Sequence, residues 1–244
     1  MSHRSLRAGS RLRGVGLPLP SIDRVTEVRA VITDWGGVMT SPITETINAW
    51  IIAEGVDRER YTEVMRSWVL QAYDEDGPPN PIHLLERGEC TDEEFERLLA
   101  AEIAMADGTP VIADGLLTRM FHAMRPDEGM HAVLRGIRRA GFQTALLSNS
   151  WGRWSYPREQ FGELFDAVVI SGDTGMRKPE ERIFRHAAGL LGLPPEQCVF
   201  IDDIDRNIAA AEAIGMTGIH HRELDGTVAR LSELLAIPPE ALTR

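Results

Sequence analysis

Cysteine is scarce in this chain: Cys90 and Cys198 are the only two, far apart and without a CxxC spacing. That excludes a disulfide framework and a thiolate zinc site, and a reducing cytoplasm fits. No apolar run approaches the roughly 20 residues needed to cross a bilayer, so no membrane partner is expected. Positive charge is short as well, with 26 Lys and Arg against 37 Asp and Glu and a formal net charge of -11. Non-specific binding to DNA or RNA needs a cationic footprint, so no nucleic-acid partner is expected. A small phosphorylated metabolite stays open as a substrate, because a local cation and a metal decide its binding. Internal repeats and low-complexity tracts are also missing.

What is present is an ordinary globular composition, 43% apolar and 26% charged, over 244 residues. That length suits one large α/β domain with an inserted subdomain, working as a monomer or homodimer. Residues 1–27 differ from the rest. Arg4, Arg7, Arg11 and Arg13 sit among Gly, Ser and Pro with no apolar h-region, which reads as a flexible basic leader rather than a secretory signal.

From Val28 onward, short β-rich runs alternate with helical patterns, the signature of a parallel sheet covered on both faces. Strands are expected at Arg29–Thr33, Gln143–Ser148, Ala167–Ser171, Cys198–Asp202 and Thr217–His220, in a Rossmann-like α/β sheet of order 3-2-1-4-5. Met130, Val133, Leu134 and Ile137 form one helical stripe, and Ile183, Phe184, Ala187, Leu190 and Leu191 the next, with Pro179 in a first-turn position and Gly192 past its end. Asp205 or a neighbour caps a third helix, and Val228, Leu231, Leu234 and Leu235 supply a last. The gap between the first two strands is too long for one crossover. It reads as helices at Thr44–Ala53, Arg58–Gln71, Asp92–Ala104 and Val111–Ala123, with a capped start at Thr91-Asp92-Glu93-Glu94 and a loop at Tyr73–Pro81. The division expected is a core of residues 28–40 and 126–244 carrying an α-helical cap of residues 41–125, hinged at Pro42 and Arg125-Pro126-Asp127.

The chemistry gathers at strand ends. Asp34 closes the first apolar run and is followed by Trp35-Gly36-Gly37, where open α/β sheets place ligands and where glycine lets backbone approach a bound group. Asp202-Asp203 closes another strand. Adjacent carboxylates repel, and a cation between them and Asp34 explains their coexistence. Phosphate-ester hydrolysis through a covalent intermediate needs a carboxylate nucleophile and neutralisation of phosphate charge, which a hard divalent cation such as Mg²⁺ supplies. Ser148 and Asn149 offer a hydroxyl and an amide to phosphate oxygens. Lys178 reads as a helix-starting lysine, opposed by the helix dipole unless an anion lies near.

The order Asp-x-Gly-Gly-Val, Leu-Ser-Asn, Gly-Met-Arg-Lys-Pro-Glu and Phe-Ile-Asp-Asp-x-x-x-Asn, over about Val28 to Leu235, resembles the haloacid dehalogenase superfamily with a helical cap at its first insertion point. In style it is similar to bacterial sugar-phosphate phosphatases and to the phosphatase domain of soluble epoxide hydrolase. Gly88-Glu89, Thr91 and Glu94-Phe95 resemble that branch too. The resemblance implies that Asp34 is the nucleophile and that Asp34, the Gly36 carbonyl and Asp203 hold Mg²⁺ with Asp202 assisting. It also implies that Ser148, Asn149 and Lys178 hold the transferring phosphoryl group. One departure stands out: most phosphatases of the superfamily carry a general acid two residues after the nucleophile, where this chain has Gly36. A slower enzyme or a better leaving group follows. Two alternatives remain: a metal-free 2-haloacid dehalogenase using Asp34, and a non-catalytic binding protein of the same fold.

His83, His122, His131, His186, His220 and His221 show no metal-ligand spacing. His83 and Glu86 are the candidates for a substitute acid. Trp35 shields the site or packs beside it, and Trp50, Trp68, Trp151 and Trp154 read as packing.

Overall fold

The computed structural model describes residues 27–71, 80–152 and 156–244. The leader up to residue 26, nearly all of the expected Tyr73–Pro81 loop, and Trp154 lie outside the described residues. In chain order the elements are β1 (Ala30–Thr33), α1 (Ile43–Glu54), α2 (Arg58–Gln71), α3 (Pro81–Glu86), α4 (Asp92–Glu102), α5 (Leu116–Phe121), α6 (Glu128–Arg139), β2 (Gln143–Ser148), α7 (Phe161–Leu164), β3 (Ala167–Ile170), α8 (Ser171–Thr174), α9 (Glu181–Leu190), β4 (Cys198–Asp202), α10 (Asp205–Ala213), β5 (Thr217–His220), α11 (Leu224–Leu235) and α12 (Pro239–Leu242).

The strands form one parallel sheet in the expected order, β3-β2-β1-β4-β5. Every residue of β1 is buried, because side chains that alternate between the faces meet a helical layer on each. Val31, Leu146, Val199 and Ile201 pack against Val133, Leu134 and Ile137 of α6 and Leu231 of α11. Ala30, Ile32, Leu147 and Phe200 face Phe184 and Ala187 of α9 and Ala211 of α10. The register pairs Thr33 with Leu146 on one side and with Ile201 on the other. The ends of the three central strands are therefore level to within two residues, and Asp34, Ser148 and Asp202 meet at the C-terminal end of the sheet.

Helices α1 to α5 fill the long gap and share a core of their own, built on Trp50, Trp68, Phe95, Leu99, Leu116 and Phe121. The capping box expected at the start of α4 is present: Thr91 Oγ1 accepts from the Glu94 amide at 3.2 Å, and Glu94 Oε2 accepts from the Thr91 amide at 2.8 Å. Beyond shifts of one or two residues at other helix ends, two departures from expectation stand out. The helix expected from Val111 begins only at Leu116, because the buried Glu96 carboxylate on α4 caps it, accepting from the Gly115 and Leu117 amides at 3.1 and 2.9 Å. Helix α3 was not anticipated. Asn80, beside the Asp/Gly/Pro-rich stretch, caps it by accepting from the Ile82 and His83 amides.

The two chain segments joining this helical insertion to the sheet run side by side. Thr40 and Pro126 form an antiparallel bridge, the Ser41 amide donates to the Arg125 carbonyl at 2.8 Å, and the Asp127 amide to the Met39 carbonyl at 2.9 Å. At the other end of the molecule, α12 closes over α6 at Gly136, where an added Cβ would overlap the Leu242 backbone. Gly136→Ala is therefore expected to lower the unfolding free energy by about 1–2 kcal/mol through overpacking, although alanine is normally favoured over glycine inside a helix by about 1 kcal/mol. Urea denaturation checks this, and an unchanged or raised midpoint would refute close α6–α12 packing.

Candidate active site

Lys178 lies between the strand ends. Its Nζ is 2.8 Å from Asp34 Oδ1 and 2.6 Å from Asp202 Oδ2, and the side chain is 1% exposed. The ammonium also stands 5.5 Å from the centre of the Phe200 ring. Burial works against its charge, yet Asp202 and Asp34 outweigh that and hold its pKa above the ordinary lysine range. The sequence reading placed Lys178 at a helix start with Pro179 in the first turn, and the structure corrects both. Helix α9 begins at Glu181, after a turn in which the Glu180 amide donates to the Arg177 carbonyl at 2.9 Å. Two buried carboxylates, rather than a helix terminus, account for this lysine.

Asp202 is fully engaged. Its Oδ1 accepts from the Ile204 amide at 2.8 Å and from Asn207 Nδ2 at 3.0 Å, while its Oδ2 takes Lys178 and, at 3.1 Å, the same Asn207 amide. Asp205, expected to cap the next helix, is its first residue. The cap position is Ile204, without a side-chain bond, and Asp202 takes the Ile204 amide instead. Asp203 differs: no side chain among the described residues donates a hydrogen bond to its carboxylate. Burial and the neighbouring Asp202 push its pKa upward. Gly37 adopts φ +79°, and a Cβ there would strike the Asp203 carboxylate, so glycine is required at that position for two reasons. Asp34 is raised by burial and by Asp202 and Asp203, against the pull of Lys178. Its Oδ2 accepts no hydrogen bond from the described residues.

Asp34, Asp202 and Asp203 each offer an oxygen within 4.8 Å of the others, the sole such metal-ligating group among the described residues. Three carboxylates face one ammonium, so negative charge is left over, and a hard divalent cation on oxygen ligands suits the excess. None of the described histidines joins this cluster. Burial, with Arg177 and Arg87 nearby, pushes His83 down to about 4, so it is neutral at pH 7 and holds no imidazolium proton to donate.

The remaining site residues hold one another. Ser148 Oγ is 3.0 Å from the Tyr156 hydroxyl, which donates to the Asn149 carbonyl at 3.2 Å. The Asn149 side chain is bound to the lysine loop: its Oδ1 accepts from the Lys178 amide at 2.8 Å and its Nδ2 donates to the Lys178 carbonyl at 3.1 Å. That Nδ2 also donates to Glu86 Oε1 at 3.2 Å, and Glu86 Oε2 takes Arg177 Nε at 2.5 Å. Glu86 belongs to α3, so the helical insertion is tied to the very loop that carries Lys178. Arg87 and Glu180 add a second ion pair beside it. Tyr156 and Arg177 were missed as site residues. Arg177 had a signal, its place beside Lys178, whereas Tyr156 lies between the expected strands and had none. Trp35 packs against His131, Tyr156 and Phe161, and its buried indole N–H has no partner among the described residues.

Lys178→Met removes the cation and leaves Asp34 and Asp202 facing each other in a dry site. The chelated variant is expected to lose about 3 kcal/mol of stability, as buried ion pairs do when one partner is deleted, and to regain part of it when Mg²⁺ is added. Chemical denaturation with and without the ion measures both. No loss in the chelated state would show that the carboxylates do not depend on this lysine.

Comparison with known proteins agrees with this architecture. Residues 28–215 match the model of the haloacid dehalogenase-like hydrolase family. Acyl-CoA dehydrogenase family member 10 of Mus musculus is 31% identical over 219 residues, covering 86% of this chain but 19% of the mouse protein. A sesquiterpene phosphatase of Aspergillus oryzae is 28% identical over 62% of this chain and 76% of its own length. Among solved structures, a HAD family enzyme of Bacteroides thetaiotaomicron, in complex with magnesium and inorganic phosphate, superposes with a TM-score of 0.53 at 21% identity, over 80% of this chain and 94% of that one. This chain spans only about a fifth of the mouse relative, so that protein's other activities are not transferred. The level strand ends, the ordered motifs and a family match over most of the chain lead to one identification: the chain belongs to the haloacid dehalogenase-like hydrolases.

Proposed function

We propose that this hydrolase is a Mg²⁺-dependent phosphatase acting on a small phosphomonoester through an aspartyl-phosphate on Asp34. In this reading residues 41–125 act as a cap over a core of residues 28–40 and 126–244. The observation that carries it is the clasp of Lys178 between Asp34 and Asp202, with Asp34 Oδ2 and an Asp203 carboxylate bound by no described side chain beside it. Asp34, Asp203 and the Gly36 carbonyl would hold the ion, with Asp202 as support. When bound, it would neutralise charge on the phosphoryl oxygens. The Aspergillus relative is by its name a phosphatase, and the Bacteroides neighbour binds magnesium and phosphate, which supports the same chemistry.

The steps assigned to this chain's residues are these. Asp34 Oδ2 attacks phosphorus, forming an O–P bond as the ester P–O bond breaks and the leaving oxygen departs with the electron pair. The Lys178 ammonium keeps Asp34 Oδ1 turned away and adds positive charge at the phosphoryl group, while the Ser148 hydroxyl donates to a phosphoryl oxygen and Asn149 holds the lysine loop in place. Water then attacks phosphorus, the Asp34 O–P bond breaks with its electron pair returning to the carboxylate, and dihydrogen phosphate leaves with the added oxygen and the water protons, one of which passes through solvent to the departed oxyanion. The three-carboxylate cluster suits a metal ion, which the phosphatase uses and a metal-free dehalogenase does not, and this supports the phosphatase.

Asp34→Asn is expected to fold normally and to lose at least about 10³-fold in turnover of p-nitrophenyl phosphate, since an amide is no nucleophile. EDTA should abolish wild-type turnover and Mg²⁺ restore it. Chloride release from 2-chloropropionate that is insensitive to EDTA would establish the dehalogenase instead. No phosphate ester turned over, alongside ligand binding, would establish a binding protein.

Gly36 leaves the leaving group without an adjacent acid, so acidic leaving groups such as anomeric, aryl or acyl phosphates are expected to be preferred over simple alkyl phosphates. A Cβ at Gly36 meets only the end of the Ile43 side chain, at 3.0 Å, so an acid can be introduced there with a small shift. Gly36→Asp should raise alkyl phosphate turnover roughly 100-fold more than p-nitrophenyl phosphate turnover, because only the poor leaving group needs a proton. Equal effects on both substrates, in a folded and metal-binding variant, would mean that the acid comes from elsewhere.

A further inference from the structure

Glu86 carries a carboxylate from the helical insertion to the edge of the candidate site, where its side chain is 7% exposed. Both carboxylate oxygens are taken by N–H donors from outside the insertion. Oε1 accepts from Asn149 Nδ2 at 3.2 Å, and Oε2 accepts from Arg177 Nε at 2.5 Å. The backbone is held as well: the Glu86 carbonyl accepts from Ser171 Oγ, which itself accepts from the Ser150 amide at 2.8 Å. Two residues on, Gly88 adopts φ +69°, and a Cβ there would strike the Gly172 carbonyl, so the two backbones touch. Asn149 and Ser150 follow β2, while Ser171, Gly172 and Arg177 follow β3 on the way to Lys178.

These contacts decide direction. The Asn149 side chain has one acceptor oxygen and two N–H bonds to give. Its oxygen takes the Lys178 amide, and its nitrogen donates to the Lys178 carbonyl and to Glu86. Reversed, the amide would set its oxygen against the Glu86 carboxylate and its N–H against the Lys178 N–H. Glu86 therefore favours the one sense in which Asn149 grips the Lys178 peptide from both sides. A buried pair such as Glu86 and Arg177 contributes little net stability, because desolvation offsets the attraction. Apolar side chains would close the same seam as firmly. What the charge adds is a fixed place for Arg177, the residue next to Lys178.

Resting on the phosphatase reading, we propose that Glu86 is a positioning residue for Lys178. Through Asn149 and Arg177 it sets the place of the ammonium that meets the phosphoryl group, so the insertion takes part in the reaction without touching the reacting atoms. Glu86 is then an acceptor held in place, and not the proton donor to the leaving group.

The test uses the full chain with Mg²⁺, following kcat/KM for p-nitrophenyl phosphate and, by calorimetry, the Kd of inorganic phosphate. Glu86→Gln should lower kcat/KM by about 100-fold, the scale of a misplacement of about 1 Å in a catalytic group. It should also weaken phosphate about tenfold. In a Lys178→Met background, already weakened, the same substitution should weaken phosphate by less than about twofold further, because the group to be positioned is gone. A purely structural role would give the full tenfold loss in both backgrounds. Should Glu86→Gln alone fail to fold, Glu86→Gln with Arg177→Met leaves no unpaired buried charge and should show the same tenfold loss and the same non-additivity. An unchanged Kd and kcat/KM in a folded variant, or equal losses in both backgrounds, would overturn the positioning role while leaving the phosphatase intact. No p-nitrophenyl phosphate turnover by the wild type would instead overturn the phosphatase reading, and the phosphate Kd values would still decide whether Glu86 acts through Lys178.

Discussion

The arrangement of the whole site depends on one buried contact set, the Lys178 ammonium held by Asp34 and Asp202. The parallel register makes the contact unavoidable. With β1, β2 and β4 ending level, their terminal side chains emerge within reach of one another, and two of those ends carry carboxylates. Without a cation these acids would not stay ionised so close together. Lysine reaches them from a loop that is itself fixed in both directions by the Asn149 side chain. The motif residues are thus a single mechanical unit, each holding the next.

Such a unit is not a source of stability in itself, because taking three charged groups out of water costs about as much as their attraction returns. It serves to place them. Asp202, saturated by Lys178, Asn207 and the Ile204 amide, is spent on geometry, and its neighbour Asp203 is left without a side-chain hydrogen bond among the described residues. The division of labour between two adjacent aspartates follows from strand alternation: the last residue of β4 is fully buried, and the next has left the sheet.

Much of this was legible in the sequence. All five strands were placed within one residue of their observed ends, because fully buried parallel strands of Val, Ile, Leu and Phe between glycines and turn residues have few other readings. The strand-end residues Asp34, Ser148 and Asp202 followed from the strands. Long-range partners left no local trace. The cap on α5 comes from Glu96, about twenty residues earlier, so the start at Leu116 could not be seen in its own segment. Lys178 read as a helix-starting lysine facing an anion, and nothing nearby in sequence shows the two carboxylates that bury it. Glu86 was read as a candidate substitute acid; burial raises its pKa, and its partners, Asn149 and Arg177, lie some sixty and ninety positions away. Tyr156 carried no signal at all.

The pairing of the two linking segments has a topological consequence. Ser41 and Arg125 are hydrogen-bonded neighbours, so the eighty-odd residues between them leave the sheet and come back through the same doorway. To the sheet, that excursion is a closed loop whose ends already meet. Because loop-closure entropy rises only slowly with length, the core is nearly indifferent to how long the excursion is. Whole helices could be added to it or trimmed from it, or a tight turn put in its place, without moving β1 relative to α6. What would be lost with them is the grip of Glu86 and Arg87 on the lysine loop, so the catalytic edge constrains that excursion far more tightly than the sheet does.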